Sequence, residues 1–480
     1  MIIVGTFALV WLAVVYYWRS GNRMPSVSEV AFYFIAAPIG VLIAIWLAVK
    51  AWGLATAQPE AGTAAVTESA SAHAPAVDTA AEQEKELSLA ILASSLRTAR
   101  GSSAEELAAS LASNKAAFNL DTELTDRNGY PIMSGRIQDI DTDRQSAALT
   151  EWAINAGLPG ISWSDEQLRA LTLGTAVLTE LAQRLIGHAL LADYLAARPE
   201  RRDAILLPPL RLIAQLPGSW PAEQRGRAAQ WLSHLVLEQG WPVEKLLLTV
   251  DSPPMPSRAL AAIDRLMLDS FRQSLPCLAI VVACESHIDA ATVDKWEEEG
   301  KLLDPQGNIA LIPGEGAAGL LLADAQQAGQ FAVNGSAKLH RLAQDARKKS
   351  VDAPGFAGEQ LLADMIRQAL DDGKIAAVDV ALLSSDTDHR SNRMIELITA
   401  GSALFPDLDP NTQYLKVASG CGEIGAAAGI AALALAHHEV SNGAAAAICI
   451  SNQDSHERAV AAISTWVEQA ATETAPVTHS

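Results

Sequence analysis

Two short stretches of this chain contain an apolar residue at every position. They are residues 278–283 and 444–450, and neither alternates with polar residues as a strand with one solvated face would. A strand of this kind has to be covered on both faces, and helices are its usual cover. The two stretches therefore predict a layered α/β domain in which helices lie on each side of a sheet.

The same alternation of apolar runs and amphipathic segments extends from residue 87 almost to the C terminus. Half of the residues are hydrophobic but only 5% are aromatic, which favours helices packed on a sheet. The patterns predict strands at residues 87–94, 132–137, 206–216, 246–250, 277–284, 316–323, 378–384, 414–418 and 444–451. They predict helices at residues 104–113, 143–156, 171–197, 221–239, 257–274, 358–371, 392–401 and 425–438.

Two long apolar runs, at residues 2–18 and 30–49, precede this region. Each approaches the roughly 20 residues that span the hydrocarbon core of a bilayer. The first run has no basic segment before it and no Ala-x-Ala cleavage site after it, which argues against a signal peptide. The sequence thus predicts a transmembrane hairpin at 1–53, a flexible Ala/Ser/Thr/Pro-rich linker at 54–85, a folded domain at 86–465 and a disordered tail at 466–480.

Charge and cysteine content favour opposite sides of the membrane. Arg19 and Arg23 lie between the two runs and Lys50 follows the second, so the positive-inside rule places the domain outside the cytoplasm by a margin of one charge. Cysteines that show no disulfide pattern favour a reducing compartment. We expect two spans in a bacterial inner membrane with the domain in the cytoplasm, and a periplasmic domain is the alternative.

The charge and the cysteine spacing also exclude classes of function. The net charge is −20, with 55 acidic and 35 basic residues and no basic stripe, so we expect no nucleic-acid partner. The four cysteines form no CxxC motif and no Cys/His spacing suited to zinc. We expect no metal and no cofactor, and we interpret the cysteines as buried free thiols.

Three blocks of the sequence resemble β-ketoacyl synthases. In the first, a predicted strand, a Ser-rich turn and a helix at 104–113 lead through Tyr130-Pro131 into Gly135-Arg136-Ile137. In the second, residues 280–286 read IVVACES and residues 312–319 read IPGEGAAG, and in the third, residues 422–429 read GEIGAAAG. This resemblance covers most of the region after residue 87, and it implies a thiolase-like domain with layers in the order αβαβα.

The resemblance fails at the positions of the family's catalytic residues. That chemistry needs a cysteine at the N terminus of a buried helix and two histidines that stabilise the developing negative charge. The nucleophile should fall in residues 251–256, which read DSPPMP and contain no cysteine. The turn that carries the family's first histidine resembles residues 384–389, SSDTDH, in which His389 is displaced from the histidine's position. The family's second histidine is replaced by Glu423. The family's supporting lysine has no direct match, because Lys416 lies two residues out of register. The family's condensation reaction is therefore not expected.

Four residues are weak catalytic candidates: Cys421, Cys284, His389 and Glu423. Cys421 precedes a helix predicted from residue 425, where a thiolate would be stabilised, and Cys284 ends an apolar strand. The alternative, which we prefer, is that both thiols are buried and inert. His287, at the end of the same strand, is interpreted as a surface residue.

These observations predict a non-catalytic, membrane-anchored scaffold or adapter built on a degenerate β-ketoacyl synthase-like domain. The chain also has a faint similarity to membrane-anchored accessory proteins of type VI secretion, which implies a secretion component or an effector as its partner. The alternatives are an acyl-transfer or thioester-handling enzyme with rearranged residues, and a module that binds an acyl chain or lipid. The family resemblance also implies a homodimer.

Overall fold

The computed structural model describes residues 83–113, 118–303, 311–331, 335–353 and 360–466. The predicted hairpin at 1–53, nearly all of the predicted linker and the predicted tail beyond residue 466 lie outside the described residues. Among the helices of the described ranges, none combines the length and the apolar character needed to cross a bilayer.

Strands and helices alternate along the described residues. The strands are β1 Ser88–Thr98, β2 Asn119–Thr125, β3 Pro131–Ser134, β4 Leu210–Gln215, β5 Leu246–Asp251, β6 Leu278–Ser286, β7 Glu315–Ala323, β8 Ala337–Ala346, β9 Val380–Ser385, β10 Tyr414–Lys416, β11 Ala446–Ser451 and β12 Glu457–Thr465. The helices are α1 Ala104–Ala112, α2 Thr142–Asn155, α3 Asp165–Arg184, α4 Ala189–Ala196, α5 Pro199–Arg202, α6 Ala222–Glu238, α7 Pro256–Arg272, α8 Ala290–Glu298, α9 Ala325–Gly329, α10 Leu361–Gly373, α11 Ser391–Leu404, α12 Val417–Cys421 and α13 Ala426–Ser441.

Ten strands form one mixed sheet with the order β10-β9-β11-β12-β8-β1-β7-β6-β4-β5, and β2 pairs with β3 in a separate hairpin. The sheet divides between β8 and β1 into two halves. If the five strands of each half are numbered along the chain, their order from the outer edge of the sheet inward is 3-2-4-5-1 in both halves. In each half the fifth strand is antiparallel to both of its neighbours. The domain is therefore an internal duplication, which the sequence pattern did not predict.

The two halves share one buried layer of helices. On β6, Ala279 and Val281 belong to a core that also contains α7 and α13, whereas Ile280 and Val282 pack on the opposite side with α3 and α6. On β11, residues 447 and 449 face the same central core, whereas 448 and 450 pack with α10 and α11. Both fully apolar stretches are covered on two faces, and the layers follow the expected order αβαβα.

Helix α13 explains the small residues of the GEIGAAAG block. Thirteen of its sixteen residues are buried. A methyl group at Gly429 would lie 3.2 Å from both the Cβ and the carbonyl oxygen of Pro256, at the start of α7. Because the two central helices approach this closely, Gly and Ala are the side chains that fit between them.

Each of the nine predicted strands overlaps a strand of the structure, but three strands were missed. The missed strands are β2, β8 and β12. The Ala-rich β12 and the charged β8 lack the β-branched alternation that identifies a strand, and their mutual pairing is a long-range contact. The single helix predicted at 171–197 is also wrong, because α3 ends at Arg184 and α4 begins at Ala189 after a turn capped by His188.

Candidate functional site

The candidate site lies at the N terminus of α13, where residues 422–425 connect it to α12. Gly422 and Gly425 both have positive φ angles, of 78° and 54°. Residues with a side chain rarely adopt this conformation, so both positions of the motif require glycine. The two glycines turn the chain on either side of Glu423 and place its carboxyl group at the beginning of the central helix.

The Glu423 carboxyl group accepts hydrogen bonds on both of its oxygens. Oε1 accepts from the backbone N–H of Gly425 at 3.0 Å, and Oε2 accepts from the side-chain amide of Gln453. Burial, together with the negative charges of Asp388 and Asp386, raises the pKa of Glu423 to about 7, against the opposing effects of the Gly425 N–H and of Arg390. Glu423, which the sequence resemblance matched to the family's second histidine, is therefore an acid whose pKa is raised towards neutral pH.

A second carboxyl group reaches the same helix end from β6. The Cβ of an alanine at position 425 would lie 1.5 Å from Glu285 Oε2, so Gly425 leaves the space that Glu285 occupies. The backbone N–H of Ala426 donates to the Glu285 carboxyl group. Burial raises the pKa of Glu285 to about 8, and the nearby charge of Glu423 adds to this shift. Two proton-binding carboxyl groups thus share the start of α13.

The turn after β9 contributes a third group of residues to the site, beside the start of α13 and the end of β6. Asp386 is fully buried and accepts hydrogen bonds from the backbone N–H groups of Asn452 and Gln453, at 2.8 and 3.2 Å. Burial raises its pKa to about 6 despite these donors. Asp388 forms an ion pair with Arg390, with a closest N–O distance of 2.5 Å. Carboxylates and an arginine therefore occupy the turn in which the family keeps its first histidine.

The N terminus of α7 holds no nucleophile of the family type. The helix begins at Pro256 after Met255, and Ser257 is buried in its first turn. The Ser257 hydroxyl donates to Glu457 Oε2 at 3.3 Å. Within the described residues, this hydroxyl group is therefore hydrogen-bonded to a carboxylate and not to a histidine.

The two candidate cysteines lie in different hydrophobic cores, Cys421 in the central core and Cys284 in the core beside α3. The Cys421 thiol, at the end of α12, contacts the hydroxyl group of Thr98, and burial raises its pKa to about 11. Cys284 packs against α3, where a methyl group on Gly174 would lie 3.0 Å from its sulfur. Burial raises the pKa of Cys284 to about 12. At Cys421 the hydrogen bond with Thr98 and the charge of Arg100 oppose the effect of burial without overcoming it, and at Cys284 the charge of Glu285 adds to it, so the thiolate form is disfavoured at both positions.

The two histidines near the site have different environments. His389 is half-buried in the turn that follows Asp388. His287, which we expected on the surface, is only 17% exposed: its Nε2 lies 3.5 Å from Glu285 Oε1 and its ring centre lies 4.8 Å from that of Trp296. Burial lowers the pKa of His287 to about 4, so this imidazole is neutral beside Glu285.

Sequence reasoning identified Glu423 and missed Glu285, Asp386 and Gln453 as members of the same cluster. Glu285 and Asp386 were visible inside the quoted blocks as acids in apolar surroundings. Gln453 had no such signal, because its contact with Glu423 joins residues 30 positions apart. In the part of the chain that the structure describes, no three His, Cys, Asp or Glu side chains converge in a way that would hold a metal ion.

No protein-family model and no curated protein matches the sequence. Solved structures do match its fold. The ishigamide ketosynthase/chain length factor has a TM-score of 0.54 at 13% identity, covering 79% of this chain and all of that chain. The ketosynthase from module 6 of the bacillaene synthase of Bacillus subtilis 168 has a TM-score of 0.53 at 14% identity, covering 79% of this chain and 72% of that one. This chain has the ketosynthase-like fold.

A β-ketoacyl synthase from Burkholderia phymatum STM815 is similar to the same degree, with a TM-score of 0.53 at 12% identity over 79% of this chain and all of that chain. Identities this low concern the fold alone. These matches confirm the thiolase-like fold that the sequence predicted for the folded domain. Its chemistry has to be judged from the residues at the starts of α7 and α13.

Proposed function

We propose that this ketosynthase-like domain does not condense acyl thioesters and serves as a scaffold or adapter at a membrane. The observation that carries the proposal is Glu423, whose two carboxyl oxygens both accept hydrogen bonds at the position of the family's second histidine. A condensing enzyme needs hydrogen-bond donors there, because negative charge develops on the thioester oxygen. An ionised carboxylate would repel that charge.

The position of the nucleophile supports the same conclusion. Ser257 lies near the start of α7, and its hydroxyl donates to Glu457, a carboxylate that is itself paired with Arg258. A carboxylate held in an ion pair is a weak base, and serine without a strong neighbouring base is a weak nucleophile. The buried cysteines offer no substitute, since burial raises the pKa of Cys421 to about 11 and that of Cys284 to about 12.

The membrane part of the proposal rests on the sequence. Residues 2–18 and 30–49 are each apolar over nearly the length of a bilayer core, and residues 51–84 contain no Lys or Arg. A domain that is anchored in this way and does not condense acyl thioesters is suited to hold another protein at the membrane. A component or effector of a secretion system such as type VI is the partner class that we propose.

We also propose that the domain forms a homodimer through β5. This strand is at the end of the sheet, and its central residues are exposed on both faces. Leu247, Leu248 and Val250 are 49%, 37% and 43% exposed. An exposed apolar edge strand is an aggregation hazard unless it is covered, and a second copy pairing along it would cover both its hydrogen-bonding groups and its side chains.

An acylation experiment tests the loss of chemistry. Full-length protein in detergent would be incubated with acyl and malonyl thioesters, and its intact mass and the products would be measured. We expect no acyl adduct and no condensation product. Ser257→Cys, which places a thiol near the start of α7, is the positive control for access to this position.

An adduct on the unmodified protein that disappears in Cys421→Ala or Cys284→Ala would establish the alternative, a thioester-handling enzyme with rearranged residues. A non-covalent acyl chain or lipid retained through purification, without an adduct, would favour the binding module instead.

Two further measurements test the anchor and the dimer. A reporter fused after Ser480 should be active in the cytoplasm, and periplasmic activity would rule out an adapter for cytoplasmic effectors. The mass of the detergent-solubilised protein, measured by light scattering, should be that of a dimer and should halve in Leu248→Arg. Val378→Arg, at a residue that is 86% exposed, is the matched control and should stay dimeric.

A further inference from the structure

A pocket in the outer helical layer of the first half combines aromatic walls with a positive charge. It lies between the C-terminal half of α2, the loop at residues 156–164 and α6, and we call it the α2 pocket. Its lining residues include Leu149, Trp152, Ile154, Ile161, Trp163 and Arg227. Among the described residues that line it, Arg227 is the charged one. In a chain with a net charge of −20, an apolar pocket with an arginine is an exception.

Arg227 is 9% exposed, and in the described part of the chain no carboxylate pairs with it. Its Nη1 donates to the carbonyl oxygen of Pro159 at 2.7 Å, and this is its one hydrogen bond to the described residues. A guanidinium group carries five N–H donors, so most of them remain for a ligand. None of its nitrogens is both fully buried and unpaired, so these donors face the open space of the pocket.

Other buried arginines of the domain have a carboxylate partner. Arg169 is paired with Glu315 and Arg458 with Glu396. A charge that is withdrawn from water without a counter-ion costs free energy, and an anion bound beside it removes that cost. The contrast indicates that the counter-ion of Arg227 is supplied by a ligand.

The walls of the α2 pocket are held in place by the protein itself. On one side, Trp152 packs edge-on against Trp231 of α6, with ring centres 5.6 Å apart. On the other side, the loop is tied to α6 by Arg227 and by Gln224, whose Nε2 donates to the carbonyl oxygen of Ser162 at 2.8 Å. A pocket that is formed in advance loses little conformational entropy when a ligand binds.

The volume of the pocket, about 70 Å³, limits the anion that fits. Pockets for drug-sized ligands measure about 300–1,000 Å³, so a long acyl chain or a lipid is too large. The C-terminal residue of a protein is a better match, because its carboxylate and its side chain branch from the same carbon atom. One small group thus supplies the negative charge and the apolar surface. Ile154, at the rim and 71% exposed, offers apolar surface to the residues that precede it.

We propose that the α2 pocket binds the C terminus of the partner protein, with the terminal carboxylate on Arg227 and an apolar last side chain against Trp152 and Trp163. A guanidinium group binds a carboxylate through two parallel hydrogen bonds, which fixes the orientation of the chain end. This inference rests on the proposed adapter role, since it assigns the surface that the partner meets.

Peptide binding to the full-length protein in lipid nanodiscs tests the proposal. The probes are Gly-Ser-Gly-Ser-Leu with a free C-terminal carboxylate and the same peptide as its C-terminal amide, each with a fluorescent label on its N terminus. Fluorescence anisotropy measures the dissociation constants. We expect saturable binding of the free acid and binding of the amide that is about tenfold weaker, because the amide carries no charge for Arg227. Equal binding of the two peptides would overturn the proposal.

Variants of the pocket separate recognition from folding. Arg227→Gln should weaken the free acid by about tenfold and leave the amide unchanged, whereas a merely structural role would weaken both. Where Arg227→Gln does not fold, the exposed Ile154 keeps the test decisive. Ile154→Asp should weaken the free acid by about fivefold through charge repulsion, and Ile154→Lys should not weaken it. Val378→Asp, at a residue that is 86% exposed, is the matched control and should bind like the wild type.

The remaining outcomes distinguish the source of the carboxylate. Isovalerate carries the same carboxylate and a branched apolar group without a peptide chain, and tighter binding of isovalerate than of the peptide would overturn a partner's C terminus as the occupant. No saturable binding of free acids that end in Leu, Val or Phe, up to about 1 mM, would overturn it as well. Neither result affects the proposed loss of condensing chemistry, which fails only if the acylation experiment yields an adduct or a condensation product.

Discussion

Glu396, inside α11, and Glu423, just before α13, are both acids of the second half of the domain, and they have opposite kinds of partner. Glu396 is 1% exposed and lies between two buried arginines: Arg347 donates from Nη1 at 2.7 Å and Arg458 donates from Nε at 2.9 Å. Glu423 accepts hydrogen bonds from two neutral donors, the Gly425 N–H and the Gln453 amide, and Asp386 and Asp388 lie close enough to raise its pKa.

The comparison shows that burial alone does not determine what an acidic side chain does in a protein. A buried carboxylate with two guanidinium partners is a structural ion, because its charge is compensated where water is excluded. A carboxyl group at a helix start with acidic neighbours is a proton-binding group instead. The first half of the domain holds a buried carboxylate with one arginine partner, since Arg169 donates to both oxygens of Glu315 at 2.6 and 2.8 Å.

The largest effect on stability should come from removing Glu396, the acid that is paired with two arginines. Glu396→Ala leaves Arg347 and Arg458 buried without their shared carboxylate, and we expect a loss of about 3–5 kcal/mol in the free energy of unfolding. Denaturant unfolding of the purified protein measures it. A loss below about 1 kcal/mol would mean that the arginines find other partners and that the pairing is not structural.

A smaller loss is expected from filling the space beside the proton-binding acids. Gly425→Ala combines an unfavourable positive φ with a collision between the new methyl group and Glu285, and should cost about 2–4 kcal/mol.

The matched control is Gly157→Ala, where φ is 65° and the structure places nothing within 4 Å of the new Cβ. It should cost about 1 kcal/mol through the backbone alone. Equal losses in the two variants would show that Glu285 does not occupy the start of α13. In the double variant Gly425→Ala with Glu285→Ala, part of the larger loss should be recovered.

The smallest effect should be a gain in stability and not a loss, and it should depend on pH. Glu423→Gln mimics the protonated acid, so at pH 8 it should be more stable than the wild type by on the order of 1 kcal/mol. At pH 5, where Glu423 is already protonated, the two should unfold at the same temperature. Melting curves at both pH values measure the difference, and Glu396→Gln should destabilise the protein at both. A constant difference between Glu423→Gln and wild type would contradict the assignment of Glu423 as the titrating group.

Much of the fold could be predicted from local patterns in the sequence. The apolar runs at 278–283 and 444–450 indicated strands with two covered faces, and the blocks around Gly314 and Gly425 indicated the thiolase-like order of elements. Local patterns could not reveal β8 and β12, because these strands are recognised through the partners with which they pair. The repeat of strand order in the two halves is likewise a property of the sheet.

The sequence by itself determined which side chains are present at the family's catalytic positions: no cysteine in residues 251–256, and Glu423 where a histidine was expected. It also determined that Gly and Ala line the start of α13. Only the tertiary structure decided the protonation of Glu423 and Glu285. The pKa of Glu423 depends on burial and on the charges of Asp388, Arg390 and Asp386, and the pKa of Glu285 depends on burial and on the charges of Glu423 and Glu166. Electrostatic energy depends on distance in space, and distances between residues far apart in the chain exist only in the folded domain.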